Sequence, residues 1–248
     1  MPAYNAAGFI PDAVESIRRQ AYPRLELIIV DDGSTDRTAE VAKNLTDLSV
    51  HYVYQPNGGP ARARNHGLRL AQGDVIALLD ADDLWPPDRL RCQVRYLEDD
   101  PLTEIAIGRF QCFRTVPQPG GGSETQISRL TFVNFLVGAA LYRRRVFDRI
   151  GGFDEAMRFG EDWDWFMRAR EKRVPIVAHD DVTLLYRQHQ SNMTRGMDAK
   201  EMHVMDVLKK SLDRRRKQHG EAHSMPRVFE FADEMKRPVD PWSPPQDA

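Results

Sequence analysis

Sulfur chemistry is nearly missing from this sequence. Cys92 and Cys112 are the only cysteines in 248 residues. They form neither the close spacing of a zinc site nor a disulfide framework, and the reading is two reduced thiols in apolar surroundings. No apolar run approaches the ~18–20 residues that a membrane-spanning helix needs. The N-terminus, MPAYNAAGF, has no basic residue followed by an apolar stretch, so it does not read as a secretory leader. There is no surplus of one charge either: 35 Lys and Arg meet 37 Asp and Glu, for a formal net charge of −2. That balance makes nucleic acid a poor partner. Glycine fingerprints of the P-loop and of dinucleotide-binding folds are absent, and there is no internal repeat. These absences leave a globular protein of the cytoplasm, sized for one domain with an appendage. Peripheral contact with the inner face of a membrane stays compatible with them.

What is present is alternation. Residues 11–20, 35–45, 60–73 and 86–99 read as helices, and 25–30, 50–55 and 74–80 as short buried strands between them. Helices alternating with buried strands predict an α/β fold with a mostly parallel sheet covered on both faces. The second half is less regular. Strands are expected at 104–114, 138–144 and 182–189, a Gly- and Pro-rich loop at 115–126, and helices at 128–137 and 161–172. Beyond residue 197 the chain is highly charged, and it reads as a surface helix over 200–220 followed by a disordered tail over 236–248.

Two acidic clusters stand where strands should end: LIIVDDGSTD, with Asp31 and Asp32, and VIALLDADDLWPP, with Asp80, Asp82 and Asp83. In an open parallel sheet, ligands bind beyond the carboxyl ends of the strands. A turn and a helix cap account equally well for Asp31 and Asp32. At the second cluster a cap accounts for one carboxylate, with Asp83 at the head of the PPDRL helix, but not for three. Hard cations such as Mg²⁺ or Mn²⁺ take oxygen ligands and share them with phosphates, so an Asp-x-Asp here suits a cation that holds a diphosphate. Gly58 and Gly59 precede a helix carrying Arg62, Arg64 and Asn65, a segment able to approach an anion. Taken alone, it reads more simply as a turn with a solvated arginine face. The run Arg143–Arg144–Arg145 likewise reads as a solvated helix start.

The segments PAYN (2–5), DDGSTD (31–36), GGPARARNHGL (58–68) and DADD (80–83), in this order and spacing, resemble glycosyltransferase family 2. GGFDEAMRFGEDWDWFMRA (151–169) and YRQHQSN (186–192) continue the likeness, which covers about residues 1–195. The resemblance implies a GT-A fold and an inverting, metal-dependent transferase. It would use a nucleoside-diphosphate sugar, UDP-linked by expectation, and a glycan or lipid-linked acceptor. Residues 1–99 would form the nucleotide-sugar half, 100–196 the acceptor half of the same domain, and 197–248 the charged appendage.

Carried over by motif, the resemblance places Pro2 and Tyr4 at the base, Asp32 on the base N–H and Asp80 on the ribose. Arg64 and Asn65 join this nucleotide-sugar set. Asp82 and His189 would hold Mn²⁺ or Mg²⁺, and Asp162 would be the catalytic base. From spacing alone Asp162 and Glu161 only complement a helix dipole, and Trp165 fits a hydrophobic core as well as the border of an acceptor sugar. One departure stands out. The family carries an apolar strand directly before P-x-Y-N, and here only Met1 precedes it, so a truncated first strand is expected, from a misplaced start codon or a shortened chain. That departure also points to a different class of function, a catalytically inactive sugar-nucleotide sensor or scaffold. Among other enzymes, a sugar-nucleotide pyrophosphorylase would want a basic Gly-rich first loop, which AYNAAGF is not. A glycoside hydrolase would not need carboxylates at successive strand ends.

Overall fold

The computed structural model describes residues 1–45, 50–118, 120–133, 135–193, 204–219 and 242. Its elements run β1 (Pro2–Ala3), α1 (Ile10–Arg18), β2 (Leu27–Asp32), α2 (Thr38–Lys43), β3 (Val50–Gln55), α3 (Pro60–Leu70), β4 (Val75–Ala77) and α4 (Arg89–Asp99). The second half continues with β5 (Ile105–Pro117), β6 (Ser123–Phe132), β7 (Ala140–Arg143), α5 (Arg144–Ile150), α6 (Glu161–Glu171), β8 (Ile176–Arg187) and α7 (Val204–His219). The α/β class and the alternation of the first half are as the sequence indicates. The fifty-odd C-terminal residues yield α7 within the expected helix, and the expected tail lies outside the described residues except for Trp242.

Two sheets carry the fold. β1, β2 and β3 are parallel, in the order β1-β2-β3. β2, LIIVDD, is buried along its whole length, as a strand covered on both faces must be. β4, β7, β5 and β6 pair antiparallel in that order, and β8 runs parallel to β5 on its other side. β1 covers β2 only at Val30 and Asp31, and the main-chain nitrogen of Met1 donates to the Ile28 carbonyl at 2.8 Å. β4 is the end strand of its sheet. A groove of about 750 Å³ therefore separates the two sheets, with Leu27 and Ile28 on one wall and Val75, Ile76 and Leu78 on the other.

Two expectations for the second half are corrected. Residues 128–137, read as a helix, begin within β6, and much of the loop expected over 115–126 belongs to a β5–β6 hairpin. Only a short tip with glycines at positive φ turns between the strands. β5 is the hub of its sheet, because it pairs with β6, β7 and β8. The core gathers beneath it: Ile105, Ile107, Leu141, Tyr142 and Leu184 from the strands meet Trp165 and Phe166 of α6. Trp165 is fully buried, packs on Phe147 and Tyr142, and donates its indole N–H to the Gly151 carbonyl at 2.9 Å. It is a core residue and does not border a ligand.

Candidate active site

Each candidate side chain sits at the end of a strand or the start of a helix. β2 ends on Asp31 and Asp32, both buried. Asp31 accepts from the Ser34 amide at 2.8 Å and the Tyr52 hydroxyl at 2.7 Å. Asp32 accepts from the amides of Gly58 (2.9 Å) and Gly59 (2.8 Å) and from the Gln55 side chain (2.7 Å). It thereby fixes the two residues that lead into α3. Gly33, at φ +77°, lets the chain turn away here, and a Cβ at that point would meet the Asn57 amide at 2.6 Å. The PAYN turn is fastened to the same loop. The Asn5 amide donates to Ser34 Oγ at 2.9 Å, and Asn5 Oδ1 accepts from the Thr35 amide at 2.8 Å. Pro2 is half-buried in β1, whereas Tyr4 stands exposed.

Arg64, one turn into α3, joins two parts of the site. Its Nη2 donates to both oxygens of Asp80, at 2.8 and 2.9 Å, and its Nη1 to Glu161 Oε1 at 2.7 Å. Burial opposes its charge, but Asp80 and Glu161 outweigh that and raise its pKa. Asn65, the next residue, clasps the turn before α6: its amide nitrogen donates to the Phe153 carbonyl at 2.8 Å, and its oxygen accepts the Phe153 amide at 2.7 Å. Gly152 allows this approach, since a Cβ there would overlap Asn65 Oδ1.

Asp162 occupies the first turn of α6, next to Glu161, and accepts the Trp163 amide at 2.8 Å. Burial and the neighbouring Glu161 push its carboxyl up to about 7, against the pull of Arg64. A carboxylate that exchanges its proton near neutral pH matches what a general base requires.

On the other side of Asp80, Asp82 Oδ2 lies 2.9 Å from His189 Nε2, and His189 Nδ1 lies 2.8 Å from Ser191 Oγ. Burial and Asp80 raise the pKa of Asp82, while the contact with His189 works against them. Asp83 does not cap the following helix. α4 starts at Arg89 after Asp88, and the buried Asp83 carboxylate instead accepts the Arg187 amide at 2.8 Å. Burial, Asp82 and Asp80 hold the Asp83 pKa well above its ordinary value. Arg187 extends from the end of β8 to the Asp82 carbonyl at 2.7 Å and to Asp12 at 3.0 Å. Sequence reasoning gave it no role, although it lies inside the quoted YRQH motif. The arginine run 143–145 opens α5 as expected, with Arg145 exposed, and its side chains also bond within the fold: Arg143 to the Thr103 carbonyl, Arg144 to the Gly73 carbonyl and Arg145 to the Glu104 carboxylate.

The structure thus brings Asp80, Asp162 and Glu161 together around Arg64, brings Asp82 to His189, and ties Asp32 to the entrance of α3. Among the described residues no group of three or more His, Cys, Asp or Glu side chains is placed to hold a metal ion. One carboxylate and one imidazole leave most coordination positions to water and phosphate oxygens, which is how Mg²⁺ and Mn²⁺ are held in phosphate sites, so Asp82 and His189 fit such a cation. Among the described residues no helix is long and apolar enough to cross a membrane.

The model for Glycosyl transferase family 2 matches residues 1–153, and that for Glycosyltransferase like family 2 matches residues 126–209. Among curated relatives, the uncharacterized glycosyltransferase EpsJ of Bacillus subtilis is 27% identical over 78% of this chain and 61% of its own. Chondroitin synthase of Pasteurella multocida is 29% identical over 87% of this chain and 23% of its own. The chain spans less than two thirds of the length of these relatives. Among solved structures, Staphylococcus aureus TarS in complex with UDP-GlcNAc superposes with a TM-score of 0.65 at 20% identity, over 87% of this chain and 71% of that one. The mannosyltransferase PcManGT of Pyrobaculum calidifontis, in complex with GDP-Man and Mn²⁺, gives 0.61 at 23% identity, over 91% and 64%. These likenesses establish a GT-A fold. With the family model covering more than half of its residues, the chain belongs to glycosyl transferase family 2.

Proposed function

We propose that this protein transfers a sugar from a nucleoside-diphosphate sugar, UDP-linked by preference, to a hydroxyl of a glycan or lipid-linked acceptor, with inversion at the anomeric carbon. The observation that carries the reading is the junction at Arg64. It links Asp80, in the segment after β4 that also carries Asp82, the partner of His189, with Glu161 at the head of the helix that bears Asp162. Donor-side and acceptor-side chemistry then meet at one junction. Residues 1–99 supply the nucleotide-sugar half and residues 100–196 the acceptor half.

Asp162 takes the proton of the attacking acceptor hydroxyl, and its pKa near 7 keeps it both sufficiently ionised and sufficiently basic. Asp82 Oδ2 and His189 Nε2 would hold Mn²⁺ or Mg²⁺. Such a cation, when bound, neutralises the charge that grows on the departing diphosphate. Asp32 keeps the Gly58–Gly59 turn open to the nucleotide, and Pro2 and Tyr4 flank the base. In support, TarS and PcManGT are relatives in fold whose structures contain UDP-GlcNAc and GDP-Man with Mn²⁺.

The test is a thermal-shift screen of the purified chain against UDP- and GDP-sugars with Mn²⁺, followed by donor turnover. Stabilisation and turnover by at least one sugar nucleotide, dependent on Mn²⁺ and on Asp162, is the expected result. A folded protein that binds and consumes none of them overturns the reading.

A further inference from the structure

α7 lies outside the pocket, yet it grips α6 through buried charge. Arg214 Nη1 donates to Asp164 Oδ1 at 2.7 Å, and its Nε and Nη2 donate to the two oxygens of Glu171 at 2.8 and 3.0 Å. The side chains of Asp164 and Glu171 are only 2% and 4% exposed, so removing Arg214 alone would leave carboxylates buried without their ion-pair partner. Asp164 Oδ2 accepts Arg168 Nε at 2.9 Å, and Arg168 in turn donates to the carbonyls of Ile150 and Gly152. That turn is the one Asn65 of α3 clasps. A closed circuit runs from α7 through α6 and the 150–153 turn to α3, and returns to α6 through Arg64 and Glu161.

Asp162 and Asp164 are two residues apart on one helix, about 200° around its axis. A pull on Asp164 therefore acts on the face opposite Asp162 and sets how far Asp162 projects. We propose that Arg214 is a positioning residue, holding α6 at the rotation that keeps Asp162 at the donor–acceptor junction. The inference rests on reading Asp162 as the base. A lysine cannot replace Arg214 fully, because one ammonium does not span two carboxylates as the guanidinium fork does. α7 is then a working part of the site and not an appendage.

The groups facing Asp162 are Glu161 on α6, Arg64 from α3, Asp80 after β4 and Tyr142 on β7. If α6 turns within the packed site, Asp162 stays buried beside Glu161 but loses Arg64, and its carboxyl titrates at higher pH. The full chain is compared with Arg214→Lys and with Arg214→Met combined with Asp164→Asn and Glu171→Gln, which removes the three charges of the α6–α7 contact together and leaves Arg168 on the Ile150 and Gly152 carbonyls. The triple variant removes two negative charges and one positive, so direct electrostatics would move Asp162 downward. An upward move therefore reports displacement. The readouts are NMR titration of ¹³C-labelled Asp162, assigned with Asp162→Asn, and turnover of UDP-GlcNAc with Mn²⁺.

In the triple variant the Asp162 midpoint is expected to rise and kcat to fall roughly 10- to 100-fold at unchanged KM. Arg214→Lys should fall between, and Lys210→Ala, which removes only an exposed pair with Asp154, should match the wild type. An Asp162 midpoint that stays or falls in a folded triple variant overturns the positioning role. Absence of wild-type turnover across the UDP- and GDP-sugars, with the midpoint still rising in the triple variant, counts against the transferase reading and leaves the positioning role standing.

Discussion

At Asp162 two influences compete: burial beside Glu161 favours the protonated acid, and Arg64 favours the carboxylate. The balance near 7 sets a pH profile. The base works only when deprotonated, so kcat/KM for transfer should rise with pH and level off above about 7, measured across pH 5.5–8.5. Asp162→Asn should lower turnover at least ~100-fold while leaving Mn²⁺-dependent nucleotide affinity within about twofold. Asp82→Ala should do the reverse at the binding step, weakening nucleotide affinity measured by calorimetry with Mn²⁺ and leaving affinity without the ion little changed. Equal losses of affinity in both variants would show that the two roles have been wrongly divided. From the family motifs Asp82, His189 and Asp162 were legible as candidates only. The tasks of Arg64 and Asp83 were not, because their partners lie up to 97 and 104 residues away. A local pattern shows that a charge is present but cannot show which distant charge it meets.

At the scale of elements, α3 is the part on which the site hangs. Its entrance is held by Asp32, its first turns supply Arg64 and Asn65, and Asn65 binds the turn ahead of α6. Gly152→Ala would drive a methyl group into Asn65 and separate α3 from that turn. A cost of about 1–3 kcal/mol is expected for such overpacking, read as a lower denaturant midpoint at unchanged slope. The βα alternation of the first half was readable because apolar strand runs and glycine or proline stops agree there. The β5–β6 hairpin was not. TVPQPGGGSETQ carries a genuine turn signal, but its glycines lie in the tip, and the flanking Thr, Ser, Glu and Gln pair in an exposed ladder with no alternation to betray it. The apolar spacing of residues 128–137 fits a helix and a strand equally, and pairing with β5 decides for the strand in its first part.

Over the whole molecule, the acidic pocket writes a pH dependence into folding. A carboxyl whose pKa lies near 7 in the folded state and near ~4 in the unfolded chain binds its proton more tightly when folded. Its stabilising contribution is complete below about 4 and is lost as pH rises through about 7. The buried Met1 amine, lowered to about 5, acts in the opposite direction over the same window, so the contribution of Asp162 is read as a difference. Without added cation or nucleotide, the Tm of the wild type should fall relative to that of Asp162→Asn between pH 5 and pH 8, and a difference that stays constant would contradict the assignment.

The groove between the sheets has its own consequence. Strand hydrogen bonds do not run from β2 to β4, and contact across the gap relies on side chains, such as Gln20 to the Pro86 carbonyl and the Leu90 amide, and Arg64 to Asp80. The two sheets share one hydrophobic core, in which Leu27 and Ile29 join Ile76 and Ile105, but β2 is paired on its groove side only by Met1–Ala3, so its amides open more readily than those of β5. Deuterium should enter the amides of Leu27–Ile29 well before those of Ile105–Ile107, which are flanked by β7 and β8, and the two sets should respond to denaturant with different slopes.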